Sequence, residues 1–472
     1  MKRSVFLTLL IVSISVFSHG QNDYSSNRDF GWQYVGQPGF SSNEIDWPSL
    51  KIDTLGNLYL AFQDRGNDWK ASVMKFNGTS WAYVGQPGFS VGEAWTLSLS
   101  INQQGELYLG FQDSGNMGKA SVMKFDGNTW VYVGPAGISS ANASYTSLAI
   151  SKNDSLFLGF RDEAHGNKAS VMKFDGTSWN YVGSPGFSAD QAWTVSVAVD
   201  SNNRPIIVYE DWGFCSKGTV MKFNGYQWIP LGQEGFTNGV ARFTDIALSS
   251  NDQPYIAFSD GYLDCRATVL NFNGASWDSV GNQGFSNGNA SYPDIEFNEL
   301  DELYIVYCDG AGGYDDGPTV MKFTDNSWSC IGTPRFALSY PNTPKLVIDQ
   351  SGNPIVAFSD LSKGLKASVM KYDSIFSGVN NPPFSPIPKF TIFPNPVNTD
   401  LYIEFDLFPS EAIEVEIYTL DGHLVHKTSI SDNSSKISLG TLPNGIYIII
   451  AASEGKIWSE KIVKGGELLH TF

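Results

Sequence analysis

Short runs of alternating apolar and polar residues recur along most of the chain, and nothing between residues 30 and 375 carries a helical period. Between Thr96 and Gly134, Leu97-Ser-Leu-Ser-Ile101 alternates at period two, the pattern of a half-buried strand. Asn102-Gln-Gln-Gly105 reads as a turn, and Glu106–Phe111 as a second strand that runs out at Asp113. A Gly-containing loop leads to a third strand, Lys119–Phe125. Asp126-Gly127 is a tight hairpin signal before the fourth, Thr129–Val133. Four short antiparallel strands in one unit predict a propeller blade.

The unit repeats with little drift. A Trp-x-x-Val-Gly block, with Leu231 or Ile331 for the Val in two copies, begins at Trp32, Trp81, Trp130, Trp179, Trp228, Trp277 and Trp328, at spacings of 49 residues five times and then 51. A second block, Ala-Ser-Val-Met-Lys-Phe at Ala71–Phe76, returns at Ala120, Ala169, Gly218, Ala267, Pro318 and Ala367. Such a unit cannot bury its faces alone and must stack on copies of itself. First strands are expected near Pro48, Thr96, Thr146, Thr194, Thr244, Asp294 and Lys345. The last repeat has no Trp block of its own, and Trp32 has no strands before it. Pairing Trp32–Gly36 onto Ala367–Asp373 closes a ring and leaves no long exposed edge. The expected fold is all-β: a seven-bladed β-propeller over residues 30–375, followed by a small β-sandwich.

Seven internal copies separate positions that serve the blade from positions that depart. The Trp column is expected to fill the widening gap between blades, and the Met column (Met74, Met123, Met172, Met221, Met321 and Met370, with Leu270) to fill the core. Each second strand ends in Asp: Asp64, Asp113, Asp162, Asp211, Asp260, Asp309 and Asp360. A basic residue follows six positions later in six copies (Lys70, Lys119, Lys168, Lys217, Arg266 and Lys366). The carboxylates are expected to accept backbone N–H groups of their loops, helped by that cation. A cation-coordinating ring of acids is disfavoured, because the lysines would neutralise it.

Composition narrows the setting. The net charge is −18, with 48 acidic against 30 basic residues, and no Lys/Arg run follows the first three positions. A nucleic-acid partner is therefore not expected. Lys2-Arg3, an apolar stretch from Val5 to Phe17 and Ser18-His19-Gly20 read as a secretory signal peptide, residues 1–20. No later stretch is apolar and long enough for a transmembrane helix. Export permits disulfides. Cys215 and Cys265 follow equivalent Asp positions in neighbouring loops, where a bridge is conceivable; Cys308 and Cys330 fall on non-adjacent strands, where one is harder to build.

Pro382, Pro383, Pro386 and Pro388 mark a stiff linker, residues 376–388. Beyond it, Asp400–Leu407, Glu414–Thr419 and Gly445–Ala451 alternate as strands, with a hairpin turn at Asp421-Gly422. Phe390-Thr-Ile-Phe-Pro-Asn-Pro396, Val415-Glu-Ile-Tyr-Thr-Leu-Asp-Gly422, Leu442-Pro-Asn-Gly-Ile-Tyr447 and Lys461-Ile-Val-Lys464 stand in order over residues 389–464. This segment resembles the C-terminal sorting domain of type IX secretion substrates of Bacteroidetes-type bacteria. The resemblance implies handling by the type IX machinery, then removal of the domain or attachment at the outer cell surface. The propeller resembles kelch-like and sialidase-like secreted propellers only in general plan. Phe125–Trp130 is similar to an Asp-box turn lacking one residue between Asp and Gly, and no functional residue is carried across.

Candidate chemistry sits where copies depart. Second-to-third-strand loops carry Arg161 and His165 in blade three, Glu210 and Trp212 in blade four, and Tyr262 and Arg266 in blade five. Blade six has a two-residue insertion with Asp309, Tyr314, Asp315 and Asp316. These acids are oxygen ligands that calcium accepts, but they lack the spacing of a calcium loop, so no cofactor is expected. Aromatics precede the first strands at Trp47, Trp95, Tyr145, Trp193, Phe243 and Tyr292. They could stack on sugar rings, yet Trp95 and Trp193 stand one register position from the other four, so all six cannot share a surface. His165 is the one histidine of the propeller, and Arg65, Arg161, Arg204, Arg242, Arg266 and Arg335 are scattered over its blades. No catalytic constellation can be assembled from these. The expectation is a non-enzymatic binding module for an extracellular glycan or protein, contacting it through these loops with Trp95 and Trp193. The alternative is an extracellular polysaccharide hydrolase or lyase on a propeller scaffold.

Overall fold

The computed structural model describes residues 29–311, 316–339, 344–375, 390–405, 413–419, 423–432, 434–453 and 456–465. The expected signal peptide, the linker 376–388 and the Asp421-Gly422 turn lie outside the described residues. The chain divides into two compact units, 1–378 and 379–472.

The first unit holds seven four-stranded antiparallel sheets. Blade two gives the plan: Ala94–Ile101 innermost, then Leu107–Asp113, Lys119–Phe125 and the short outer strand Trp130–Tyr132. The seventh sheet takes its outer strand, Asp29–Tyr34, from the start of the chain, paired with Lys366–Ile375. Trp32 stands opposite Tyr372 and Tyr34 opposite Met370. The ring is therefore closed by the expected latch, and the fold is a seven-bladed propeller.

Blades bury their faces against one another rather than around one common core. Tyr59, Ala61 and Val73 of blade one, for example, pack with Leu97, Leu99, Phe111 and Trp130 of blade two. The Met column lies in these seams, with Met74 and Met123 each 4 % exposed.

The structure also explains the Trp-x-x-Val-Gly block. Trp130 Nε1–H donates across the seam to the Val84 carbonyl of the preceding blade at 2.8 Å. Its ring stacks on Phe89, with centroids 4.6 Å apart. Gly85 next to that carbonyl has φ +78°, and a Cβ there would come 3.2 Å from Trp130 Cδ1. Glycine is required on both counts.

Inner strands of blades one to six begin two to four residues before their expected starts, at Ile45, Ala94, Ala143, Ala192, Ala241 and Ala290. The cause is a bulge. Trp47, Thr96, Tyr145, Thr194, Phe243 and Tyr292 take positive φ, between 47° and 55°, and the register slips by one residue there. Pairing resumes before the bulge, so each strand extends past the point where alternation stops.

The second unit is a sandwich of a three-stranded sheet (Phe390–Phe393, Asp400–Phe405, Ser434–Ser438) and a four-stranded sheet (Leu424–Ile430, Ile413–Thr419, Gly445–Ser453, Lys456–Lys464). Leu401, Ile403 and Ile437 of the first pack with Val415, Ile417, Ile449 and Ile462 of the second. Asn395 of the Phe-Pro-Asn-Pro segment ties the start of the domain to its last strand. Its amide donates to the Lys461 carbonyl at 2.6 Å and accepts the Val463 N–H at 2.9 Å.

Trp130→Ala deletes a seam-filling ring together with its cross-blade hydrogen bond, and should cost about 3–5 kcal/mol of stability. Denaturant unfolding measures it; an unchanged midpoint would show that the ring does not bridge the blades.

Candidate functional site

The seven Asp residues at the second-strand ends are structural. Each is buried, between 0 % and 2 % exposed. Asp113 Oδ1 accepts the Gly115 N–H at 3.1 Å, while Oδ2 takes Asn116 Nδ2 at 2.7 Å, the Ser121 hydroxyl at 2.9 Å and the Tyr132 phenol at 3.0 Å. The loop backbone is bonded as expected. The lysine six residues on is not: among the described residues no ion pair joins it to the Asp. His165 takes the place of the asparagine in blade three. Its Nδ1 lies 2.8 Å from Asp162 Oδ2 and its ring sits edge-on to Tyr181, which makes it part of the loop's own bonding.

The inner strands surround a central cavity of about 340 Å³. The bulge turns Trp47, Tyr145, Phe243 and Tyr292 toward it, with Thr96 and Thr194 between them. Trp95 and Trp193, one position away, are not among its walls. The register slip does separate the six aromatics.

Farther into the cavity is a feature that reading the loops alone misses. Ser49, Ser98, Ser147, Ser196, Asp245, Asp294 and Lys345 are equivalent, each opposite the same position of its second strand. Ser49 Oγ accepts the Leu99 N–H of the next blade at 3.0 Å, and Asp245 Oδ2 does the same for Ile295 at 3.0 Å. Lys345 is ion-paired with Asp294. Two residues along the strand, a second column adds Lys51 and Glu296. Burial, opposed by Lys51 and reinforced by Asp294 and Asp245, raises the Glu296 carboxyl to about 7. Burial also raises Asp245, and the Asp294 charge adds to it. Five ionisable groups thus gather along one arc, from blade five through blade one. Aligning inner strands at the repeat spacing would have found them.

The loop-face rim brings together four of the predicted residues. The Arg161 guanidinium lies over the Trp193 ring, 4.1 Å from its centroid, and donates to the Gln191 amide at 2.9 Å. Tyr145 and Trp212 flank Trp193 at 5.8 Å and 6.4 Å between ring centroids. Trp212 is 55 % exposed. Glu210 stands opposite Trp193 across the strand pair. Burial raises its carboxyl, with Ser216 and the Arg242 cation opposing. Two buried donors in this cluster, Trp193 Nε1 and Arg161 Nε, have no acceptor among the described residues. A buried unpaired donor costs roughly 1–3 kcal/mol.

The other predicted residues are not part of that cluster. Trp95 bonds the Glu93 carboxylate of its own loop at 3.2 Å. Tyr262 is 67 % exposed, and Arg266 is exposed at the start of the third strand of blade five. Tyr314 and Asp315 lie outside the described residues. Asp309 belongs to the buried Asp column, accepting Ala311 N–H at 3.0 Å and the Thr319 hydroxyl at 3.2 Å. Asp316 is left as the one described member of the calcium set beyond it, and no group of three or more His, Cys, Asp or Glu suited to a metal forms among the described residues. All four cysteines are free thiols, so Cys215 and Cys265 are not bridged.

Residues 391–465 match the model of the secretion system C-terminal sorting domain. The chain carries a type IX sorting domain. The sorting domain marks the protein for export through the type IX machinery, to be secreted or held on the outer cell surface. No helix among the described residues is long and apolar enough to cross a membrane. No curated protein matches the sequence. Among solved structures, a protein of unknown function from Dyadobacter fermentans is 13 % identical, with TM-score 0.43 over 73 % of this chain and 100 % of that one. An ulvan lyase is 13 % identical, with TM-score 0.48 over 72 % and 96 %. The Aleuria aurantia lectin, solved with a fucosylated N-acetylglucosamine, is 14 % identical, with TM-score 0.42 over 63 % and 99 %. At such identities and scores these likenesses assign no activity.

Glu296 supplies a test of the cavity's electrostatics. Its folded-state pKa lies above the unfolded value, so this group erodes stability as pH rises from about 4.5 to about 7, and the loss is complete above that. Glu296→Gln should raise stability by about 1–3 kcal/mol near pH 8 and change it little near pH 4.5. Urea midpoints at the two pH values give the comparison.

Proposed function

We propose that the exported propeller is a non-enzymatic binding module that holds an extracellular glycan or protein on its loop face, at the Tyr145–Arg161–Trp193–Trp212 cluster. The observation that carries this reading is the pair of buried donors without acceptors beside an exposed indole. Aromatic plates supply contact area at little entropic cost, and an Arg over an indole is held in place to bind oxygen acceptors. Glycan hydroxyls and ring oxygens meet that description, as do peptide carbonyls. Trp193→Ala and Trp212→Ala should each weaken retention on a glycan or protein array roughly tenfold or more, equivalent to about 1.4 kcal/mol. Full retention by both variants would remove the cluster as the contact.

The hydrolase or lyase reading has one observation in its favour. Glu210, beside the same cluster, has its carboxyl raised by burial, as a general acid requires. Product release from a polysaccharide, lost in Glu210→Gln with binding retained, would move the assignment to that reading. Binding without product in the wild type leaves the module as proposed.

A further inference from the structure

Four blades complete their buried Asp with a phenol from the outer strand. Tyr34, Tyr83, Tyr132 and Tyr181 donate to Asp360, Asp64, Asp113 and Asp162 at 3.2, 3.5, 3.0 and 3.1 Å. In blade five the tyrosine position is Ser279, opposite Leu270 just as Tyr132 is opposite Met123. The position three residues past the Asp, which is Asn67, Asn116 or His165 in blades one to three, is Leu263. Asp260 has lost two donors at once. Among the described residues it keeps the Tyr262 N–H at 3.0 Å on one oxygen and the Thr268 hydroxyl at 3.2 Å on the other, while being 2 % exposed.

A cavity of about 400 Å³ reaches Asp260 and is walled by Phe236 and Trp277 on its apolar side and by Gln233, Asn238 and Gln283 on its polar side. Trp277 is partly exposed here, whereas Trp81, Trp130 and Trp179 are buried at 7–8 %. Gln283 stands where blades one and three open their following loops with Pro87 and Pro185. A buried acceptor short of donors, three amides and an indole edge thus share one opening.

The geometry points to a sugar-binding site on the flank of blade five, in which a hydroxyl of a neutral pyranose donates to Asp260 in place of the absent phenol. The ring's C–H groups lie along Trp277 and Phe236, and its other hydroxyls meet the amides. Burial raises the Asp260 carboxyl, in keeping with a site that lacks its donors when empty. This site goes beyond the rim cluster and does not rest on it.

Ser279→Tyr tests the idea by restoring the phenol that four other blades place on their Asp. The full-length protein would be titrated with the methyl glycosides of glucose, galactose, mannose, xylose and fucose, followed by ligand-observed NMR, with p-cresol as a phenol control. At least one glycoside should bind the wild type, and Ser279→Tyr should weaken it at least tenfold with an equal or higher melting temperature. Should Ser279→Tyr fail to fold, Asn238→Leu, which alters only an exposed part of the wall, should show the same loss. Two outcomes would overturn the site: no glycoside binds the wild type, whether or not p-cresol does; or the refilled variant, or Asn238→Leu in its place, binds like the wild type.

Discussion

The ring depends on one hydrogen bond made seven times, from an indole N–H at the outer edge of a blade to a carbonyl of the blade before it. Trp81, Trp130, Trp179, Trp228, Trp277 and Trp328 reach Val35, Val84, Val133, Val182, Leu231 and Val280 at 2.7–2.8 Å, and Trp32 reaches Ile331 at 3.1 Å. A buried indole N–H needs an acceptor, and here the acceptor always belongs to the neighbour. No blade can therefore satisfy its own tryptophan. The seventh bond exists only because the first strand of the chain is the last strand of the ring. Latch and staple are the same structural event, and this is why Trp32 precedes any blade of its own.

With stability lodged at the outer edge and in the seams, the inner strands are free to change chemistry as long as one bond is kept. Serine in the first inner column accepts the next blade's N–H, and an aspartate accepts it equally well: Leu346 N–H meets Asp294 at 2.8 Å as Leu148 N–H meets Ser98 at 2.9 Å. Replacing Ser by Asp thus brings charge into the cavity without breaking the ladder between blades. Lys345 then offsets part of that charge. Glu296 has no such built-in task, and its raised carboxyl reflects that: it is present in the cavity without a structural bond to hold it ionised.

Spacing made the blade count, the closure and the sorting domain readable, since each rests on blocks of several residues in fixed order. The register argument for the rim aromatics was also readable, because a one-residue slip changes the face whatever the bulge does in detail. Strand starts were not, because the apolar alternation begins only after the positive-φ residue. Nor were the true partners of the Asp column. Asn116, Ser121 and Tyr132 lie three, eight and nineteen residues from Asp113, and only the folded strand register brings them to one carboxylate. Lysine, six residues on, was the charged partner that the spacing offered, whereas burial selected neutral donors. The cavity charges escaped notice for a different reason: they sit on strands, where departures from a repeat are easily taken for packing.

The departures are not spread evenly round the ring. Blades one, two, three and seven keep the full Asp–Tyr bonding, whereas blades four, five and six have Pro230, Ser279 and Cys330 at the tyrosine position. The rim cluster lies on blades three and four, Asp245, Asp294 and Glu296 on blades five and six, and Lys345 and Lys51 on blades seven and one. Burial raises Asp211 and Asp260 in two of the blades that lost the phenol. A ring of identical units can present only symmetric chemistry. The shared staple holds the blades in register, and the substituted positions supply unequal groups at fixed spacing. The staple makes this tolerable, because it joins each blade through its outer edge and is unaffected by what the loops and inner strands carry.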